Sequence, residues 1–245
     1  GKKLYITVNC FATNSEIDRL PDYARFLYDA GVDGVIVSDL GSVVTIKTAA
    51  PDLPVHISTQ ANIQNFRTAE VYYNMGAERV VLGREMTLEE IAELRARTPK
   101  DMEIEAFVHG AMCTFYSGRC CLSNYVTNRD SNRGGCAQIC RFAYNMQEDD
   151  SEDTKFTMAT KDLNLSRNIK DLIEVGVASL KVEGRMRSSY YLATVIGTYR
   201  KIIDYYYENR EDEEYLQEQY RILDRVANRE TSSHYLLKKA DHTDQ

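Results

Sequence analysis

The chain has 245 residues, of which 43% are hydrophobic and 27% charged, and its formal net charge is −7. That length can bury a real core as one large domain or two small ones. The acidic balance argues against a whole-surface nucleic-acid binder and leaves a local basic patch open. No apolar run approaches the roughly 20 residues that cross a bilayer. The opening GKKLYITVNCFA (1–12) has no long apolar core or small-residue cleavage site after it. The expectation is a cytoplasmic protein with no membrane partner.

Apolar, β-branched runs alternate with helical patterns in chain order. LYITVN (4–9) predicts a first strand, followed by a helix over 22–30 that ends at Gly31. GVIVSD (34–39) precedes a helix over 42–49, and VHISTQ (55–60) precedes one over 65–75 that stops at Gly76. RVVLG (79–83) leads into a helix from Thr87 to about Arg97, where Thr87 and Glu90 have capping-box spacing. EIEAFVHG (103–110) and SLKVEG (179–184) read as strands, the latter after a helix over 168–175, and FTMAT (156–160) reads as a further strand.

Strands separated by helices indicate βα units and a parallel sheet. The expected fold is α/β, a (β/α)8-type barrel, for which about 250 residues is typical. The chain opens directly on a strand and spends 111–155 on a non-periodic insert. The barrel is therefore expected to be incomplete at its N-terminus, as in a fragment. A doubly wound sheet is the alternative, weakened because no Gly-rich turn follows any strand. Ser188 to about Glu208 predicts a long helix whose tyrosines (Tyr190, Tyr191, Tyr199 and Tyr205–Tyr207) pack on a core, and a second helix follows over 212–226. QEDDSED (147–153) reads as a solvated acidic loop. The expected organisation is a partial barrel over 1–187 with the insert, helices over 188–230, and a disordered or truncated tail over 231–245.

Barrel active sites form at the C-terminal ends of the strands. Those positions carry Asn9 and Cys10, Ser38 and Asp39, Thr59 and Gln60, Arg84 and Glu85, His109, Lys161 and Asp162, and Glu183 and Arg185. Singly, each is as readily a helix cap or a rim ion pair. As a ring above apolar strands they describe a polar pocket. Glu85, His109 and Glu183 are its candidate catalytic groups, and Asn9, Asp39, Gln60, Arg84, Lys161, Arg185 and Arg187 its candidate substrate-binding groups.

Five of the six cysteines fall between Cys113 and Cys140. That clustering does not suit a disulfide scaffold in a chain this long and points to metal binding or catalysis. Four thiolates from one loop can close a tetrahedral metal site or hold an iron–sulfur cluster. Only Cys136-x3-Cys140 resembles a zinc knuckle. The wider spacings, with Gly118, Gly134 and Gly135 among them, suit a loop folded around a larger group. Adjacent Cys120 and Cys121 do not suit joint ligation. A Cys–His peptidase pair is available in Cys113 and His109, but it leaves the other cysteines unexplained, and no HExxH or GxSxG motif is present.

EAFVHGAMCTFYSGRCCLS (105–123), NRGGCAQICR (132–141) and LKVEGRMRS (180–188) closely resemble the collagenase-like peptidase family of unassigned catalytic type. VIVSD and HISTQAN extend the resemblance upstream, so that it covers about residues 1–210. Despite its name, that family includes prephenate-dependent tRNA wobble-uridine hydroxylation proteins, a ribosomal-RNA cytidine hydroxylation protein and oxygen-independent ubiquinone hydroxylases. The resemblance implies a barrel, hydroxylation without molecular oxygen, and a 4Fe–4S cluster on Cys113, Cys120, Cys136 and Cys140. Cys121 falls where such relatives commonly carry an apolar residue. As partners it implies tRNA or ribosomal RNA and a small dicarboxylate, prephenate, with a homologous partner subunit as a further candidate. Arg84, Arg185 and Arg187 are candidates to hold the dicarboxylate, because guanidinium forks bind carboxylates bidentately. Arg129, Arg133 and Arg141 of the insert are candidates to meet phosphates. Two other readings stay open from the residues: a collagenase-like peptidase, and a zinc-stapled, non-enzymatic assembly subunit.

Overall fold

The β-branched runs become the buried strands of a mostly parallel sheet. The computed structural model describes residues 1–146, 154–226 and 229–239. In the first half, β1 (Tyr5–Val8) leads through α1 (Asn14–Ile17) and α2 (Leu20–Asp29) to β2 (Gly34–Val37). Then α3 (Leu40–Ala49), β3 (Val55–Ile57), α4 (Phe66–Asn74), β4 (Ala77–Val81), α5 (Leu88–Ala96) and β5 (Glu103–Gly110) follow in turn. β1 to β5 pair in sequence order, each parallel to the next. A doubly wound sheet would reverse that order at a switch point, so the sequential order excludes it across these strands. Val35, Val55, Ile57, Val80 and Ile104 are wholly buried, as strands covered on both faces require.

Helix starts follow the local chemistry. Asp39 accepts from the Ser42 N–H at 2.8 Å to cap α3, Asn65 caps α4 through the Thr68 N–H at 2.9 Å, and Thr87 forms the expected capping box with Glu90.

The insert carries a short helix, α6 (Leu122–Thr127), and ends in an antiparallel pair, β6 (Tyr144–Met146) and β7 (Thr154–Phe156), separate from the main sheet. The strand expected over 156–160 is instead Thr154–Phe156, which meets the expected range only at Phe156 and belongs to this separate pair. A strand that the pattern did not show, β8 (Asp162–Asn164), follows; at three residues it is too short to display alternation. Next come α7 (Ile169–Glu174), β9 (Ser179–Val182), α8 (Ser189–Tyr207), α9 (Glu213–Val226) and β10 (Thr231–Ser232). β10 pairs in parallel with β8, and the following turn buries His234 and Leu236. Residues 231–239 are therefore structured, contrary to the tail expectation, because the sheet edge of β8 gives their backbone a partner. The acidic stretch 147–153 and the tail beyond 239 lie outside the described residues.

β5 is where the sheet divides. β9 pairs with one edge in parallel from Glu105 to His109; the opposite edge pairs with β4 at Glu103–Glu105 and then, farther along, with β8 in antiparallel fashion at His109 and Gly110. The β5–β9 register steps from Phe107↔Lys181 to His109↔Val182, so β5 holds one extra residue there, a β-bulge. Gly110, at φ +106°, crosses so close to β9 that a Cβ would collide with the Glu183 carbonyl oxygen. Along α8, Tyr191, Tyr199 and Tyr205 face the core at helical spacing while Tyr190 and Tyr207 face outward. Among the described residues, β1 carries no ladder on its outer edge, and the sheet does not close on itself.

Two imidazoles are sealed inside this sheet. Burial pushes the pKa of His56 and of His109 down from 6.5 to about 4, and the nearby Arg79 charge adds to the shift at His56. In the unfolded chain both take up a proton near pH 6.5. Unfolding therefore binds protons between about pH 6.5 and pH 4, and stability falls with pH across that window by up to about 1.4 kcal/mol per unit for each histidine. The urea midpoint is expected to drop between pH 7 and pH 5, and a midpoint that stays level over that range would contradict the assignment.

Candidate functional site

Above the C-terminal ends of β1, β3, β5 and β9 lies a cavity of about 410 Å³, a volume typical of small-molecule sites. Cys113, Cys120, Cys136 and Cys140 all line it. Cys121 is exposed and is not part of the lining. The chain thus brings four widely spaced thiols to one space and leaves the fifth outside.

Several anchors hold the cysteine loop over the strands. Ser117, in the left-handed region at φ +46°, donates to Glu85 through its N–H at 2.6 Å and its hydroxyl at 2.8 Å. Arg119 Nε reaches the Gln60 carbonyl at 3.0 Å. The Cys120 peptide is clamped by the Asn132 amide, which accepts from its N–H at 3.2 Å and donates to its carbonyl at 2.9 Å. Farther out, Arg133 pairs with Glu16 and donates to the Phe11 carbonyl.

The sulfurs differ in environment. Cys120 is buried, Cys113 and Cys140 half-buried, and Cys136 exposed. Burial pushes the Cys113 thiol up, as does negative charge on Cys140 and Cys120, while the Phe115 N–H and the Arg84 guanidinium pull the other way. The Gln138 N–H donates to Cys136 Sγ at 3.4 Å. Two of the four sulfurs, those of Cys113 and Cys136, therefore accept backbone N–H groups. Among the described residues, no three His, Cys, Asp or Glu side chains converge as a ready-made metal site.

The strand-end residues separate into two groups. Asn9, Gln60, Arg84, Glu183 and Arg185 line the cavity. Asn9 Nδ2 donates to Ser58 Oγ at 3.1 Å, and Gln60 Oε1 is buried with no hydrogen-bond partner. Arg84 lies 4.0 Å over the Phe107 ring and donates to the Ala111 carbonyl at 3.2 Å, its Nε buried and unpartnered. Burial draws the Arg84 pKa down, opposed by Cys113, Glu183 and Glu85.

Asp39, Glu85, His109, Lys161 and Arg187 do not line this cavity. Asp39 is committed to capping α3, and Glu85 to the two Ser117 donors. Lys161 pairs with Glu230 at 3.3 Å, and Arg187 with Asp162 at 2.5 Å. His109 Nδ1 lies 3.2 Å from the Tyr199 hydroxyl of α8, which itself donates to the Val108 carbonyl at 2.9 Å. The bulge accounts for this placement: the extra residue interrupts the alternation that would set His109 on the face of Phe107. Lining residues that the pattern did not single out include Lys181, Phe107 and Gln138. Lys181 had a signal, a lone cation in the apolar run SLKV, whereas Gln138 had none.

If Glu85 holds the cysteine loop, Glu85→Ala leaves the buried Ser117 N–H without its acceptor, at about 1–3 kcal/mol, while the Ser117 hydroxyl keeps Asn62 Oδ1 at 3.1 Å. Local opening that is easier by about 1.4 kcal/mol is tenfold more frequent. Cys120 should then alkylate roughly tenfold faster, read by mass spectrometry, while the exposed Cys121 keeps its rate. Equal Cys120 rates in the two proteins would refute the anchoring role.

The model of Peptidase family U32 matches residues 1–245. The tRNA hydroxylation protein P1 of Bacillus subtilis is 45% identical over 246 residues, which cover 95% of this chain and 57% of that protein. The tRNA hydroxylation protein P of Escherichia coli is 35% identical, over 83% of this chain and 56% of its own. The 23S rRNA 5-hydroxycytidine C2501 synthase of Escherichia coli is 34% identical, over 86% of this chain and 32% of its own. The chain spans about half the length of the first two of these relatives and about a third of the last. A match along its whole length and relatives at this level of identity assign the chain to peptidase family U32, the collagenase-like family.

Proposed function

We propose that this chain carries the reaction site of an RNA hydroxylation protein that acts on the wobble uridine of tRNA. In this reading Cys113, Cys120, Cys136 and Cys140 hold a 4Fe–4S cluster, and a small dicarboxylate such as prephenate is co-substrate in a reaction independent of molecular oxygen. The observation that carries it is the convergence of four thiols, Arg84 and Arg185 on one strand-end cavity, in a chain whose relatives at 45% and 35% identity are named tRNA hydroxylation proteins. The sequential parallel order of β1 to β5, continued by β9, supports a (β/α)8-type barrel with this cavity at its mouth. No helix among the described residues is long and apolar enough to cross a membrane, and an RNA substrate agrees with a cytoplasmic site of action.

The donor set suits a cluster better than one zinc ion. Four soft thiols ring a cavity of about 410 Å³, two of them accepting N–H groups, without a close tetrahedral grouping. Hydroxylation replaces a base C–H by C–OH, an oxidation beyond the reach of these side chains alone; a bound cluster supplies electron transfer. The chain's own residues bind and orient. Arg84, fixed by Phe107 and the Ala111 carbonyl, and Arg185 present guanidinium forks to carboxylates. Gln60 Oε1 is a buried acceptor awaiting a donor, such as the N–H of a uracil ring, and Phe107 and Phe115 offer ring faces to an unstacked base. Of the three candidate acid–base groups, Glu183 faces the cavity, so proton transfer falls to it. The peptidase reading needs a histidine beside Cys113, and His109 is turned to Tyr199 instead.

Protein purified without air should be coloured and carry about four irons and four sulfides per chain. Cys113→Ser and Cys136→Ser should lose the iron, and Cys121→Ser should keep it. Cells lacking the protein should lose hydroxylated wobble uridine from tRNA. A folded, colourless, iron-free protein sinks the proposal; one bound zinc in its place favours the assembly-subunit reading.

A further inference from the structure

Beside the cysteine cavity opens a second one of about 340 Å³, and Gln138, Glu183 and Arg185 line both. The two spaces are thus adjoining chambers with a common wall. The second is lined by three more guanidiniums, those of Arg141, Arg187 and Arg229.

The balance of charge there is unusual for an acidic chain. Against four arginines stand two carboxylates: Glu183 in the lining, and Asp162 behind it. Asp162 is engaged twice, with Arg187 at 2.5 Å and Arg229 at 2.6 Å. Arg141 and Arg185 have no carboxylate partner among the described residues; Arg141 Nη1 meets only the neutral Gln138 Oε1, at 3.1 Å. Arg229 Nε is buried without any hydrogen-bond partner. The fold therefore lines one cavity with four guanidiniums and leaves donors over. Prearranged cations with unfilled donors are what an oxyanion site requires, since an entering anion needs no reorganisation of its partners.

We propose that the Arg141/Arg185/Arg187/Arg229 chamber is an oxyanion subsite, binding a phosphate or paired carboxylates of a ligand whose other end enters the cysteine cavity. Its excess of two positive charges matches a dianion. Asp162 acts as a positioning residue, setting Arg187 and Arg229 side by side. The proposal rests on the reading of the cysteine cavity as the reaction site. It adds where the anionic end is held, and by which residues. The oxyanion can be carried by a free small dianion or by the backbone of the RNA.

Isothermal titration of the full chain with inorganic phosphate, malonate and a short single-stranded oligoribonucleotide tests this. Arg141→Gln breaks no ion pair, and Arg229→Gln leaves Asp162 paired with Arg187, so both variants should fold, as a thermal melt will show. Each should weaken binding roughly tenfold or more, the scale of a lost charge-assisted contact. Arg25→Gln, on the exposed face of α2, should stay within about twofold. Binding of malonate or phosphate supports the subsite with a free dianion as its ligand. Binding of the oligoribonucleotide alone, with a salt dependence that declines in each variant, supports it with RNA phosphate. No measurable binding of any probe, or equal affinities in wild type and both variants, overturns it. Iron and sulfide are measured on the same samples. Iron-loaded protein with no Arg-dependent binding removes the subsite and leaves the cluster reading intact; iron-free protein with Arg-dependent binding does the reverse.

Discussion

A carboxylate buried in the middle of a sheet must be matched, and the register of the central strands depends on how Glu105 is matched. It sits in β5, 7% exposed. Arg79 of β4 approaches from one side at 3.2 Å, and Lys181 and Ser179 of β9 from the other at 2.9 and 2.7 Å. Burial works against the charge, but Lys181, Ser179 and Arg79 outweigh it and hold the pKa below the ordinary value. Removing one partner of such a group typically costs about 3–5 kcal/mol. A slip of one residue on either side would turn these partners to the opposite face. The same register puts Lys181 beside Phe107 and sets Glu183 at the mouth.

Where local chemistry decides, the sequence was legible. The Thr87–Glu90 capping box, the tyrosine face of α8 and the strand of 103–110 follow from short-range rules, and all are present. The cysteine spacing showed that the loop gathers thiols and that Cys120 and Cys121 do not act together; which of the two belongs with the others came from the family resemblance, and Cys120 is the one that lines the cavity. His109 shows the opposite case. Alternation places it on the cavity face, but a bulge is a property of two strands pairing, and nothing in EIEAFVHG alone announces it. Glu85 stands at a strand end as expected, yet its partner Ser117 is 32 residues away. β8 and β10 have three and two residues, too few for a period to register, and exist because β5 offers an edge.

The two chambers divide the chemistry. The four thiols gather in one with Arg84, and Arg141, Arg187 and Arg229 line the other, with Gln138, Glu183 and Arg185 common to both. The insert supplies the sulfurs together with Gln138 and Arg141, and the strand ends supply Arg84, Glu183 and Arg185. Neither segment makes a site alone, which explains why a loop with little regular structure is fastened at Glu85, Gln60 and Glu16.

Those fastenings bear on what the fold depends on. The apolar core is formed by strands and helices, with Met112 the one insert residue among the described residues that joins it. The loop is tied to it by hydrogen bonds that need no metal. The fold therefore does not depend on the cysteine cavity being filled, unlike small domains whose fold is the metal site. Cys136 stands at the surface and Cys120 is buried, so whatever enters the cavity from solvent meets Cys136 before Cys120.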